Sequence, residues 1–324
     1  MLRGIAHASL LFTVAHLPGG TRAYHALTRR WLRSQRRVLR KLQRVWPGYM
    51  GVWRDRCGLD LAGRTIWMHE PGPVPFAPLA AYLLTGQGGI VTATADPPSD
   101  SYAAEAIRGV LEAAFVLDDP AVPARRAVLD RLVHSAATVA ELFQATGTRA
   151  ALARDPARLP LADASADLCH SGGVLEHYRP AVLAAFLRES FRVLRPGGIA
   201  SHVYDHRDHL RHVDPGWPFL AHMALPDPVH RTLFGHRLMF HNRLAPTEVL
   251  ALFRAAGFER IAMRRFVLPD KRYVDGDAEV AAAGQAGVPA WLRTGRLARL
   301  SVEDRHTAAI HYLFRKPEGP CARA

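Results

Sequence analysis

DPARLPLADASADLCHSGGVLEHY, residues 155–178, is the stretch that decides the fold. Within it, Ala166–Ser171 is a short apolar run flanked by turn formers, which predicts a buried strand rather than a helix. A helical pattern follows from about Pro180 to Val193, with proline in its first turn. LRPGG, 194–198, closes that helix, because proline and glycine cannot continue it. Ile199–Tyr204 then reads as the next strand. Strand, helix and strand in this order predict two neighbouring parallel strands joined by a helix.

The same alternation extends in both directions. Upstream, Thr65–Glu70 and Gly89–Asp96 read as strands, separated by a helical PLAAYLLT that ends at Gly86. Residues 102–146 read as a helical insertion broken by DDPAVP, 118–123. Downstream, Pro246–Ala256 is a helix stopped by Gly257, and Glu259–Arg265 and Thr307–Phe314 are the final strands. The predicted fold is α/β: a Rossmann-like, doubly wound, mostly parallel seven-stranded sheet with an N-terminal helical extension. The extension is placed at residues 1–60 and the main domain at 61–324, with a second insertion at about 206–245 that caps the substrate site. Within 21–46, Leu27, Trp31, Leu32, Val38, Leu39, Leu42 and Val45 recur near a 3.6 period between arginines, as in a basic amphipathic helix.

The 155–178 run, with LRPGG downstream and the helix–AAGF–strand segment at 247–263, resembles the class I S-adenosylmethionine (SAM)-dependent methyltransferases. Within that group it is closest in pattern to the methyltransferase domains of the ubiquinone and menaquinone biosynthesis type, as a natural-product-like member. The resemblance spans roughly residues 60–315. It implies SAM as cofactor, bound at the carboxyl ends of the leading strands. It places Glu70 and Gly72 at the loop after the first strand, Asp96 at the ribose, Asp155 and Pro156 beside the adenine, and Ser171 and Gly172 along the cofactor's flank. The first loop departs from the family pattern: HEPGPVPFAP has one glycine, and its prolines donate no backbone hydrogen bonds.

Residues 202–214, HVYDHRDHLRHVD, leave the sheet at the same edge and carry four histidines and three aspartates. Three readings stay open at this stage. A His–Asp pair serves as general base, a divalent metal is held, or the groups are structural within a polar cap. The candidate catalytic residues are His177, Asp205, His206, Asp208 and His209. Their spacing matches no fixed zinc signature, so no metal ligand is assigned.

Composition narrows the function class. The net charge is +13, yet Lys41, Lys271 and Lys316 are the only lysines among 42 basic residues. An arginine and alanine excess of this kind reads as bacterial codon bias rather than as a nucleic-acid footprint, and no RNA-binding module is apparent. Three widely spaced cysteines, Cys57, Cys169 and Cys321, give no disulfide or zinc framework and suit a reducing cytoplasm. The apolar stretch at 5–17 is too short to span a bilayer. The expected activity is in-line transfer of the SAM methyl group to an oxygen or nitrogen of a small organic molecule, with a secondary metabolite as a natural extension. Two rivals remain: a SAM-fold protein that is non-catalytic or transfers another group, and an RNA-modifying or RNA-binding protein. The sequence leaves the oligomeric state open.

Overall fold

The computed structural model describes residues 2–24, 36–69, 75–86, 89–93, 100, 103–112, 120–153, 155–236, 238–267, 272–274 and 294–318. Its centre is one sheet of eight strands in the order β3-β2-β1-β4-β5-β8-β6-β7. The strands are β1 (Ile66–His69), β2 (Ile90–Ala93), β3 (Arg149–Leu152), β4 (Ala166–Gly172), β5 (Leu194–Asp205), β6 (Glu259–Val267), β7 (Arg272–Val274) and β8 (Thr307–Arg315). The first five pair in parallel, while β8 runs antiparallel between β5 and β6.

The expected sheet had seven strands, of which six were located in the sequence; β3 and β7 are the two not located, and together they bring the total to eight. β3 is four residues long and mostly exposed, and its RAAL carries none of the β-branched or aromatic residues that mark a strand in sequence. β7 is a three-residue edge piece paired to β6. LRPGG also behaves differently from expectation. Leu194 already has extended geometry, and the whole segment 194–198 opens β5 instead of forming a separate turn.

Helices cover both faces, as strand alternation requires. On one face, Ile66, Met68, Leu168, Ile199 and Leu313 meet α2 (Arg36–Cys57), α3 (Phe76–Thr85) and α4 (Ala103–Glu112). On the other, Trp67, Cys169, Ala200, Tyr204 and Tyr312 meet the helix Pro180–Val193 and the helix Pro246–Ala255. Gly86 caps α3 in the left-handed region at φ 75°, where a side chain would be strained.

The N-terminal extension packs directly on this body. In α2, Trp46, Met50, Trp53 and Cys57 are buried at spacings of four, three and four, one stripe along the helix. Trp53 Nε1 donates to Ser201 Oγ of β5 at 2.7 Å. Trp53→Ala removes a fully buried ring and this bond, so it is expected to cost about 3–5 kcal/mol, read as a lowered urea midpoint. α1 (Leu2–His16) instead lies against the helix Asp227–Phe234 and the turn 209–212. No described helix is long and apolar enough to cross a membrane.

Candidate functional site

The parallel strands β3, β2, β1, β4 and β5 end at one edge of the sheet. Two segments leave that edge next to each other. After β4, Gly173 turns at φ 73° and a short 3-10 turn runs from Leu175 to His177. After β5, the chain passes Asp205–Asp208 into a second 3-10 turn, His209–His212. Asp208 caps this turn, its Oδ1 accepting from Leu210 N at 2.9 Å.

The two turns bring imidazoles together. The rings of His177 and His209 are 4.9 Å apart, His209 and His212 5.3 Å, and His209 and His241 4.4 Å. Beside them lies a cavity of about 230 Å³, lined by His177, His209, His212, Met239 and Phe240 and closed by His7 and Leu11 of α1. His177 Nδ1 sits 2.9 Å from the Phe240 carbonyl, so Nδ1 donates to it and Nε2 is the ring nitrogen left to meet a ligand. His241 Nε2 is 3.1 Å from the Asp205 carbonyl, and its buried Nδ1 has no hydrogen-bond partner among the described residues. Burial, reinforced by the neighbouring His241 and His177, holds His209 well below its ordinary pKa, so it is a neutral imidazole at physiological pH.

The other residues expected to act do not line the cavity. His206 is buried, stacked on Tyr204 at 4.3 Å between ring centroids, and does not line the cavity. Asp205 is engaged by Arg207 through both carboxylate oxygens, at 2.8 and 2.6 Å. Burial works to raise the Asp205 carboxyl, but those bonds and the Arg207 charge outweigh it and keep it well below the usual range. Asp208, besides capping the turn, accepts from Trp217 Nε1 at 2.9 Å, and burial pushes its carboxyl up to about 6. The sequence reading passed over His212 as a cavity residue and missed the contribution of α1. Only the packing of α1 against the 209–212 turn reveals them.

Of the residues expected at the cofactor, Glu70, Gly72 and Asp96 lie outside the described residues. Asp155, just past β3, is exposed, with Oδ1 accepting from Ala157 N at 2.9 Å in a tight turn; Pro156 is half-buried there. Ser171 is turned into the core, its Oγ 2.8 Å from His202 Nδ1. Gly172 is exposed, and among the described residues a Cβ built on it would meet nothing within 4 Å, which leaves room at the carboxyl end of β4, where a nucleoside needs it. Leu152, 54% exposed at the end of β3, adds an apolar surface near Asp155.

Residues 128–201 match the family model described as a methyltransferase domain. No curated protein matches the chain. Similar solved structures include a SAM-dependent methyltransferase from Mesorhizobium loti, at 14% identity over 79% of this chain and 93% of that one, TM-score 0.41. The [4+2]-cyclase SpnF is 15% identical over 84% of this chain and 82% of its own, TM-score 0.43. A geranyl diphosphate C-methyltransferase from Streptomyces coelicolor, solved with Mg2+, geranyl diphosphate and S-adenosyl-L-homocysteine, is 11% identical over 81% and 75%, TM-score 0.43. The matched segment runs from the helix Val122–His134 into β5, through the strand, turn and helix that frame the open edge. Residues 128–201 thus resemble a methyltransferase domain, and the strand order is that of an open α/β sheet whose first five strands run in parallel.

Proposed function

We propose that this protein methylates an oxygen or nitrogen of a small organic molecule held in the cavity between the two turns and α1. The single observation that carries this reading is the convergence of His177 and His209 on that cavity, at the edge where β4 and β5 end. When bound, SAM supplies the methyl group. Gly172 leaves the strand end clear, and Asp155 offers a carboxylate beside the apolar Leu152. His177 and His209 engage the acceptor's O–H or N–H group and turn its lone pair toward the methyl carbon; most of the rate comes from that alignment. Met239, Phe240 and Leu11 give the acceptor an apolar wall, which suits a partly apolar molecule of modest size.

Calorimetry with SAM, followed by a turnover assay that counts S-adenosylhomocysteine against a panel of hydroxyl and amine acceptors, tests this. One SAM per chain and turnover with at least one acceptor are expected; a chain that does not bind SAM ends the reading. Gly172 supplies a sharper check. Because open space surrounds its Cβ position, Gly172→Val is expected to leave the melting temperature within about 2 °C, since a surface change of this kind shifts stability by only about 0.5 kcal/mol. SAM affinity should nonetheless fall at least about tenfold, or about 1.4 kcal/mol. Unchanged affinity would place the cofactor away from β4.

A further inference from the structure

We infer that Glu176, His177 and His209 form a binding site for a divalent transition-metal cation at the base of the cavity. Each offers one ligand atom, and the three atoms lie within 4.8 Å of one another. Two imidazoles and one carboxylate are a donor set that first-row transition cations accept, and it leaves coordination positions open for a ligand. Such a site escapes sequence inspection because its ligands come from two turns more than thirty residues apart and follow no fixed spacing.

Three further features fit a metal better than a bare histidine cluster. The Phe240 carbonyl fixes the His177 ring through Nδ1 and leaves Nε2 as the donor, the outer support that metal-binding histidines use. Asp205 is tied to Arg207, so its carboxylate stays out of the set, although it also lies within reach of His209 and His212. His241, 97% buried, packs its ring at 4.4 Å on that of His209, and its Nδ1 has no hydrogen-bond partner among the described residues. The cavity gives a cation an approach path and leaves room beside it for an acceptor.

This deepens the proposed function and rests on it for one step only. In place of a direct hydrogen bond from imidazole to acceptor, the imidazoles lend their lone pairs to the cation. The cation then polarises an acceptor oxygen or nitrogen and makes it easier to deprotonate. Acceptors with two adjacent oxygen or nitrogen donors fit best, because they can occupy two open positions at once.

Co2+ is the probe, added to the full chain after chelator treatment and followed by its visible d–d absorption and by calorimetry. The wild-type chain is expected to bind one Co2+ with the absorption of a four- or five-coordinate site. His177→Ala and His209→Ala should each weaken it by more than the roughly 100-fold that loss of an outer hydrogen-bond partner can cost. His177 is exposed, so its variant keeps the fold, as a circular dichroism melt checks. His134→Ala, an exposed histidine in the helix Val122–His134, should bind Co2+ like the wild type. Absence of stoichiometric Co2+ binding overturns the inference, and so does affinity that survives both site variants. SAM affinity of the metal-free chain is measured alongside. A chain that binds SAM but no Co2+ keeps the methyltransferase reading and loses the metal; one that binds Co2+ but no SAM does the reverse.

Discussion

His209→Ala is expected to lower kcat by about 100- to 10,000-fold while SAM affinity stays within about threefold. The magnitude follows from position. His209 lines the cavity, touches the His177, His212 and His241 rings, and is the one residue common to both groups of potential ligand atoms around it. Removing it disconnects the cluster whether the imidazole meets the acceptor directly or through a cation. The loss corresponds to about 3–5.5 kcal/mol of transition-state stabilisation. His206→Ala is the informative contrast. His206 is stacked on Tyr204 inside the sheet, so its loss should lower stability and leave kcat within about threefold in the fraction that stays folded. Single-turnover kinetics with saturating SAM separates the two variants. Equal kcat for wild type and His209→Ala removes the cavity from the reaction.

Acidification is expected to destabilise the protein well above the range where carboxylates titrate. His69, His170 and His206 are buried, and burial pushes each down to about 3 in the folded chain. In the unfolded chain they titrate near the ordinary histidine value of about 6.5. Their folded pKa is lowered, so the stability they contribute is present above about 6.5 and is lost as pH falls below it, toward the folded value. Between pH 7 and pH 5 each loses about 2 kcal/mol, and the three together about 6 kcal/mol. Asp208 works in the opposite direction. Its carboxyl is raised to about 6 by burial, so it gains stability as it protonates and offsets about 1 kcal/mol of the loss. The net of about 4–5 kcal/mol is a large part of the 5–15 kcal/mol that holds a typical domain together. The urea midpoint at pH 5 should therefore lie far below that at pH 7. A midpoint that does not move between those values would mean these histidines are already charged, or solvated, in the native protein.

The histidines also show why one part of the site was legible in the sequence and another was not. The run 202–214 announces a polar, titratable segment after β5, and VLEH places His177 after β4. Which histidines reach a cavity depends on two local events. β5 ends at Asp205, whose carboxylate folds back onto Arg207, and Asp208 then caps a 3-10 turn. That turn sends His209 and His212 to the cavity and leaves His206 against Tyr204.

The sequence alone determined the βαβ run from Ala166 to Tyr204 and the helices on either side. It could do so because continuous apolar strands, proline-opened helices and glycine stops are local signals. The tertiary structure alone decided the rest. It added the exposed edge strand β3, folded α1 down as a wall of the cavity, and joined His177 to His209 across more than thirty residues. Those features depend on packing between distant segments, and distance in space is the one quantity a linear pattern does not carry.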